Sequence, residues 1–507
     1  MRKPSVRVAW TGAISLGVTA VGLISGTISR AQTVPFPSSK WNRVLIVSGG
    51  PNAQYNQYAI ESNARYVASL TSKAKWRQIL FADGKPTSKT ISTIVDNPRT
   101  RARAIASWIW DLNAPEETTE FKAPTLTPID GAASPDSITP HVAAFTAAKG
   151  GTEPELVYFT GHGSPGSGPG GREDYVNTVY SAWGNDYPMR QLAHSLQAST
   201  SSAPLVLVMV QCYGGGFANI LFHDGDSSKP IWNHDFCGFF AAIPERMAAG
   251  CTSQVNERDY QDFTTHFFAA LSGVSRDGRR VTSADYDHSG SVSLDEAYAY
   301  AQINDDSIDV PLSTSDAYLR YIFGREPNNE WQKTTFSQLN KDANPQQAAV
   351  LSQLSDKLGL TGENRLIAVQ KRYDNLPKTS VRRDSADWTL PKGVNEAQFN
   401  TSYDRFEKLL NSRYPNVARL RGVARRNALD DATTLLVAKP ADLDIVYRAY
   451  SLSTASEDTN EVEEARLLRF LRAGRSIILS KRLEKNGTPE QKAVLARLRT
   501  SENRSAF

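Results

Sequence analysis

The stretch LVYFTGHGSPGSGPGG, residues 156–171, decides the reading of the fold. An apolar run stops at His162, set between two glycines, and a long glycine-rich loop is expected after it. About fifty residues on, PLVLVMVQCYGGGF (204–217) repeats the pattern, with an apolar run that ends on Cys212. Working outward, RVLIVSGG (43–50), RQILFADG (77–84) and CGFFAAIP (237–244) read as further short buried strands. Between them lie segments with helical spacing: YAIESNARYVASLTSKA, ITPHVAAFTAA, a helix around 187–198, and RDYQDFTTHFFAALSG, which ends at Gly273. Apolar strands that alternate with helices predict an α/β fold with a mostly parallel, doubly wound sheet. Ligands bind such sheets beyond the carboxyl ends of the strands, where His162 and Cys212 both fall. Residues 85–136, rich in Pro, Thr and Asp, read as an excursion over the surface.

The 507 residues are enough for two to four domains. Residues 1–31 read as a signal peptide, with Arg2, Lys3 and Arg7 ahead of an apolar stretch and a cleavage site at Ala31. An uncleaved anchor helix is the alternative. The leader carries four basic residues and no acidic ones, so its removal takes the formal charge from +4 to zero. A basic surface for nucleic acid is therefore not expected, nor is a membrane association once the leader is gone. The chain is expected to be exported, periplasmic or extracellular. It has three cysteines, Cys212, Cys237 and Cys251, an odd number. Cys237 and Cys251 either pair or stay as buried small apolar residues, and Cys212 is then the free thiol.

A cysteine nucleophile needs thiolate character, a nearby base and donors for the developing oxyanion. Two neighbouring strands that end in His162 and Cys212 would supply thiol and base. The N–H groups of Gly163 and Cys212 are the expected oxyanion donors. The expectation is that His162 eases thiolate formation and protonates the leaving amine. A core histidine and a buried cysteine sharing a sheet by chance is the bland alternative.

YFTGHGSPG and QCYGGGF resemble the caspase–legumain superfamily of cysteine peptidases, in which the histidine precedes the cysteine. VLIVSGGPNAQYN, SITPHVAAF and FFAAIPERMAAGC are similar to the first strand and loop, the helix before the histidine, and the strand after the nucleophile in the legumain branch. The resemblance covers roughly 41–275. It implies a caspase-like α/β/α catalytic domain with His162 and Cys212 as a dyad, Gly163 shaping the oxyanion hole, and a peptide or protein as substrate. The specificity positions depart from the family. Tyr58 and Ala59 stand where legumains carry Arg-His, and Val210 stands two residues before the nucleophile in place of Glu. Gln211 is one residue later than the caspase Gln. The resemblance thus carries the chemistry and not the residue cleaved after. A transpeptidase of the same fold and an inactive, calcium-stabilised binding protein remain as alternatives. GSGPGG (166–171) formally fits a nucleotide-binding glycine pattern, but Pro165 and Pro169 break it and no helix opens from it. Glu173, Asp174 and Asp186, in the same region, read as a solvated face.

DYDHSGSVSLDE (285–296) fits a twelve-residue EF-hand calcium loop. Asp285, Asp287, Ser289, Ser291 (through its carbonyl), Ser293 and Glu296 occupy the ligand positions, and Gly290 stands at the sharp turn. Without an entering-helix signature this is expected to be a lone structural Ca²⁺ loop, closing the catalytic domain over 276–330 and weak, on the order of 10⁻⁴–10⁻³ M. His288 is expected to be solvated. The remaining histidines, His141, His194, His223, His234 and His266, show no zinc spacing. Residues 331–507 read as a helical C-terminal region with a break near 376–392. By the legumain resemblance it is expected to cap the cleft as an intramolecular inhibitor, and partner binding is the alternative.

Overall fold

The computed structural model describes residues 34–37, 39–94, 96–112, 119–147, 151–324, 333–376, 390 and 394–507. The expected leader and its cleavage site lie outside these residues, as does the 376–392 break apart from 376 and 390. Two compact units form. The larger takes in Val34–Thr100, Pro115–Leu376 and Asp458–Phe507; the smaller takes in Arg101–Ala114 and Pro377–Glu457.

The larger unit is built on a six-stranded sheet. Its strands are β1 (Arg43–Gly49), β2 (Trp76–Phe81), β5 (Glu155–Gly161), β9 (Leu205–Val210), β10 (Phe236–Phe240) and β11 (Leu312–Ser313). Two other pieces of sheet lie outside it. β3 (Ile91–Ile94) pairs with β4 (Thr119–Lys122), and β6 (Gly163–Ser167), β7 (Glu173–Ser181) and β8 (Asp186–Pro188) form a three-stranded sheet. The central order is β11-β10-β9-β5-β1-β2. All neighbours are parallel except β10 and β11. Val, Ile and Leu dominate β1 and β9, and aromatic residues share the apolar positions of β5 and β10, because both faces are covered.

Alternation along each strand divides the core in two. Val44, Ile46, Leu156, Tyr158, Val206, Val208 and Phe239 face helices α1 (Tyr58–Leu70), α5 (Phe263–Ser272) and α6 (Leu294–Asn304). Leu45, Val47, Val157, Phe159, Leu207, Met209 and Phe240 face α3 (Pro135–Thr146) and α4 (Met189–Gln197). The expected mixed α/β architecture with a mostly parallel sheet is therefore present, with helices on both faces. α5 begins later than the sequence suggested, where the Asp262 carboxylate accepts from the Thr265 N–H at 2.7 Å.

Two expectations are corrected. Residues 85–136 are not only an excursion, since they contain β3, β4 and α2 (Pro98–Ile109). The apolar positions of α2, Ala102, Ile105, Ala106 and Ile109, do follow helical spacing, but Arg and Thr dilute them. The first part of the glycine-rich segment after His162, Gly163–Ser167, is a strand, and only Gly168–Gly171 makes a turn. Gly163 and Ser164 pair with Tyr180 and Val179 of β7, whose β-branched and aromatic residues supply the partner, and a bulge separates Ser164 from Gly166.

From residue 312 on the chain is mainly helical: α7 (Thr314–Phe323), α8 (Phe336–Asp342), α9 (Pro345–Leu358), α10 (Arg365–Asp374), α11 (Glu396–Arg413), α12 (Gly422–Val437), α13 (Pro440–Asn486) and α14 (Pro489–Glu502). These helices are not one body. α8 to α10, the part of α13 from Asp458 and α14 belong to the larger unit. There Leu479, Leu483, Leu495 and Leu498 pack with Leu319 and Phe222, and Ser505 bridges to Ser293. The smaller unit closes around Phe406, Leu410, Leu429, Leu436 and Ile105, and the Trp108 ring meets Tyr403 at 5.4 Å. Among the described residues, no helix is long and apolar enough to cross a membrane.

Candidate functional site

β5 and β9 are adjacent and in register up to Thr160 opposite Val210. His162 and Cys212 each lie two residues further on, so the shared register brings both to the same edge of the sheet, and both are half-buried. This edge is next to the topological switch. The connection from β1 to β2 runs over one face and that from β5 to β9 over the other, and the loop after β1 opens beside β5. A Cβ placed on Gly163 would sit 2.3 Å from the Cys212 carbonyl oxygen, so only glycine permits this approach of the two motifs.

The two expected oxyanion donors are not taken up by the backbone around them. Ser181 N–H donates to His162 O at 2.9 Å, which makes Gly163 and Tyr180 a non-hydrogen-bonded pair and turns the Gly163 N–H away from β7. Beyond Cys212, the N–H groups of Tyr213, Gly214, Gly215 and Gly216 are all committed, to the carbonyls of Arg246, Gln211, Ala242 and Tyr213. Among the described residues the Cys212 N–H has no backbone acceptor.

The loop after β1 holds the imidazole. Nε2 of His162 lies 2.8 Å from Gln57 Oε1, and the Tyr55 ring stands edge-on to the imidazole at 6.0 Å. Burial pulls the imidazole below its ordinary value, opposed by a hydrogen bond with the Tyr55 backbone. Cys212 Sγ accepts from Ala248 N–H at 3.3 Å and donates to Ala248 O at 3.6 Å. Burial pushes this thiol up, the Ala248 backbone opposes the rise, and Asp309 adds to it. No hydrogen bond joins His162 to Cys212. Burial thus favours the uncharged form of each group, and each is held by other partners, the imidazole by Gln57 and the thiol by Ala248. Exposed apolar surface flanks the pair at Tyr55 and at Met247, the neighbour of Ala248.

Cys237 and Cys251 are not bridged; all three cysteines are free. Cys237 lies on β10 with its thiol 3.6 Å from Ser501 O, and the Cys251 thiol lies 3.5 Å from Gly161 O at the end of β5. Burial pushes the Cys251 thiol well above its ordinary value, with Cys212 adding to the rise. Of the specificity positions, Tyr58 donates to Glu257 Oε1 at 3.1 Å and accepts from Arg65 Nη2 at 3.2 Å. Ala59 and Val210 are core residues, and the Gln211 amide is buried with no hydrogen-bond partner among the described residues.

Several neighbours were not legible as site residues. Gln57 sits in a polar loop without periodicity, and Ala248 acts through its backbone alone. Asp309 is fully buried. Its Oδ1 accepts from Ala249 N–H at 2.7 Å and its Oδ2 from Phe263 N–H at 2.9 Å. Burial, with Asp305 nearby, pushes its carboxyl well above the usual range.

The calcium-loop residues come together. Asp285, Asp287 and Glu296 each bring a carboxylate oxygen within 4.8 Å of the other two. That spacing suits oxygens on opposite sides of an ion bound at about 2.3–2.6 Å. Asp285 accepts from Ser289 and Gly290 N–H at 2.9 and 3.0 Å, folding the loop on itself, and Gly290 takes a φ of +88°. Ser289 Oγ reaches Ser291 O at 3.1 Å. Ser293 caps α6 in a capping box with the buried Glu296. His288 is exposed. α5 ends at Ser272, and no helix leads into the loop.

No family model matches the chain, and no curated protein does. Among solved structures, it is similar to that of the Geobacter sulfurreducens protein GSU0716, at 8% identity over 55% of this chain and 92% of the other, with a TM-score of 0.30.

Proposed function

We propose that the protein is an exported cysteine endopeptidase of the caspase–legumain type, its fold a caspase-like variant of the α/β/α arrangement. The observation that carries this reading is the ending of two adjacent, in-register strands on His162 and Cys212, with the Gly163 and Cys212 N–H groups both open beside them. The Cys212 thiol gives its proton to the His162 imidazole as sulfur attacks the peptide carbonyl carbon. The carbonyl oxygen, now an anion, accepts from Gly163 and Cys212 N–H. His162 passes the proton to the leaving amine as the C–N bond breaks, and a thioester remains on Cys212. Water, deprotonated by His162, attacks the thioester and releases the carboxylic acid and the thiol. Gln57 orients the imidazole throughout. Burial favours the protonated thiol, so in this reading the proton moves to His162 as bound substrate brings the two groups together.

The test is digestion of a peptide library by the full chain at several calcium concentrations, with an added amine acceptor and mass-spectrometric readout. New free carboxyl termini, absent with Cys212→Ala, are expected. Amine-capped products alone would make the protein a transpeptidase. A specific observation also favours a second reading: the imidazole is tied to Gln57 and the thiol to Ala248, as in an idle dyad kept by a binding protein. A library left uncut at every calcium level would select that reading.

The same proposal includes Ca²⁺ held by Asp285, Asp287, Ser289, the Ser291 carbonyl, Ser293 and Glu296, where its charge offsets the clustered carboxylates. At 10 mM, about ten- to a hundredfold above the expected dissociation constant, Ca²⁺ stabilises by about 1.4–2.7 kcal/mol. In calorimetry, that concentration is expected to raise the melting temperature by about 1–3 degrees. Glu296→Gln, which keeps a capping residue, is expected to remove the shift. An equal shift in the variant would place calcium elsewhere.

A further inference from the structure

We propose that helix α13 positions the Cys212 thiol, through Glu464 acting directly and Arg469 acting by way of Asp309, and so supports the site rather than inhibiting it. This rests on the reading of Cys212 as the nucleophile. The intermediary is the strap Arg246–Cys251. Its Ala248 grips the thiol from both sides, and its Arg246 carbonyl accepts from Tyr213 N–H at 2.8 Å, one residue past Cys212. α13 holds this strap twice. Glu464 Oε2 lies 2.9 Å from Arg246 Nη1. Arg469, fully buried, donates from its two Nη atoms to the carbonyls of Gln302 (3.0 Å), Asp305 and Ser307 (3.1 Å), at the end of α6 and in the loop that follows, while its Nε lies 3.4 Å from Ala465 O of its own helix. That loop leads to Asp309, whose own N–H reaches Ser307 Oγ at 3.1 Å and whose carboxylate fixes Ala249 and the first residue of α5.

A buried guanidinium and a buried carboxylate are a poor way to gain stability alone, because apolar residues of similar volume usually do as well. They do fix positions. Here the fixed position is the backbone that surrounds the sulfur, where a displacement of about 1 Å can lower turnover by about a hundredfold.

The test uses the full chain carrying Asp309→Asn, whose amide can accept from one of the two N–H groups but opposes the other. Hydrogen exchange of the 246–252 segment is expected to rise about tenfold while β1, β5 and β9 stay protected. For a peptide cleaved by the unmodified protein, kcat is expected to fall about tenfold with KM within about twofold, at temperatures where the variant is fully folded. Glu464→Gln leaves the buried cluster intact and guards against misfolding; exchange of the same segment is expected to rise about threefold. Unchanged exchange in a folded variant, or a rise in kcat in either variant, as release of an inhibitor would give, overturns the proposal. If the unmodified protein cuts no peptide, the cleavage reading falls and the positioning role with it, whereas the exchange result still decides whether α13 orders the strap.

Discussion

Replacing Cys212 with alanine is expected to lower peptide turnover by at least about 10⁴-fold, or about 5 kcal/mol of transition-state stabilisation, with little effect on folding. The size of the effect follows from the role. Without sulfur no thioester forms, and the Gly163 and Cys212 amides are left to stabilise an oxyanion that only water could generate. The small effect on folding follows from the surroundings. Cys212 is half-buried, its thiol's two hydrogen bonds both go to the Ala248 backbone, and loss of the thiol removes these two weak sulfur bonds, at most about 1 kcal/mol each. Turnover at substrate saturation, set beside a thermal melt, checks both halves. A variant that keeps a tenth of the activity would move the nucleophile elsewhere.

His162→Ala is expected to lower turnover by about 10³-fold and to change the shape of the pH profile. The sign follows from the two shifts. Burial lowers the imidazole, so it is neutral and able to take a proton at pH values down to below its ordinary 6.5 or so. Burial raises the thiol, so it keeps its proton into the alkaline range. The productive neutral pair therefore spans a wide plateau. kcat/KM is expected to rise as pH climbs through the lowered imidazole value, stay level across neutral pH, and fall only above the ordinary thiol range. In His162→Ala the acid limb should vanish, and the residual rate should climb with thiolate concentration. An acid limb that survives the substitution would assign it to another group.

Much of the sheet was legible because burial on both faces leaves a plain mark: VLIV, LVYF and LVLVMV can be little else. The placement of His162 and Cys212 at one edge was legible for the same reason, because parallel strands that stop at like positions end together. β6 was hidden by its own composition. Gly163-Ser-Pro-Gly-Ser has no strand propensity, and its pairing is set by β7 and by the close approach to the Cys212 carbonyl, which a local pattern cannot reveal. Helix α2 was hidden because Ala102 and Ile105 stand among arginines whose partners, Asp430 and Asp444, lie more than three hundred residues on. The clustering of Asp285, Asp287 and Glu296 was readable residue by residue, since each position of an EF-hand-type loop has its own chemical demand. The role of Asp309 was not readable, because its meaning comes from the Ala249 amide sixty residues away. Neither was the division of the C-terminal helices: amphipathic helices announce a buried face and not which core receives it.

The most direct measurement is the rate at which peptidyl ketones, a panel differing in the residue before the ketone, attach to Cys212 in the native protein and in His162→Ala, read by intact mass at neutral pH. A substrate-like electrophile is needed because the thiol is half-buried and burial favours its protonated form, which a simple alkylating agent attacks slowly. At least one member of the panel should modify Cys212 rapidly in the native protein and about a hundredfold or more slowly without the imidazole. Equal rates in the two proteins, or no member faster than iodoacetamide, would show that the histidine and the cysteine do not work together.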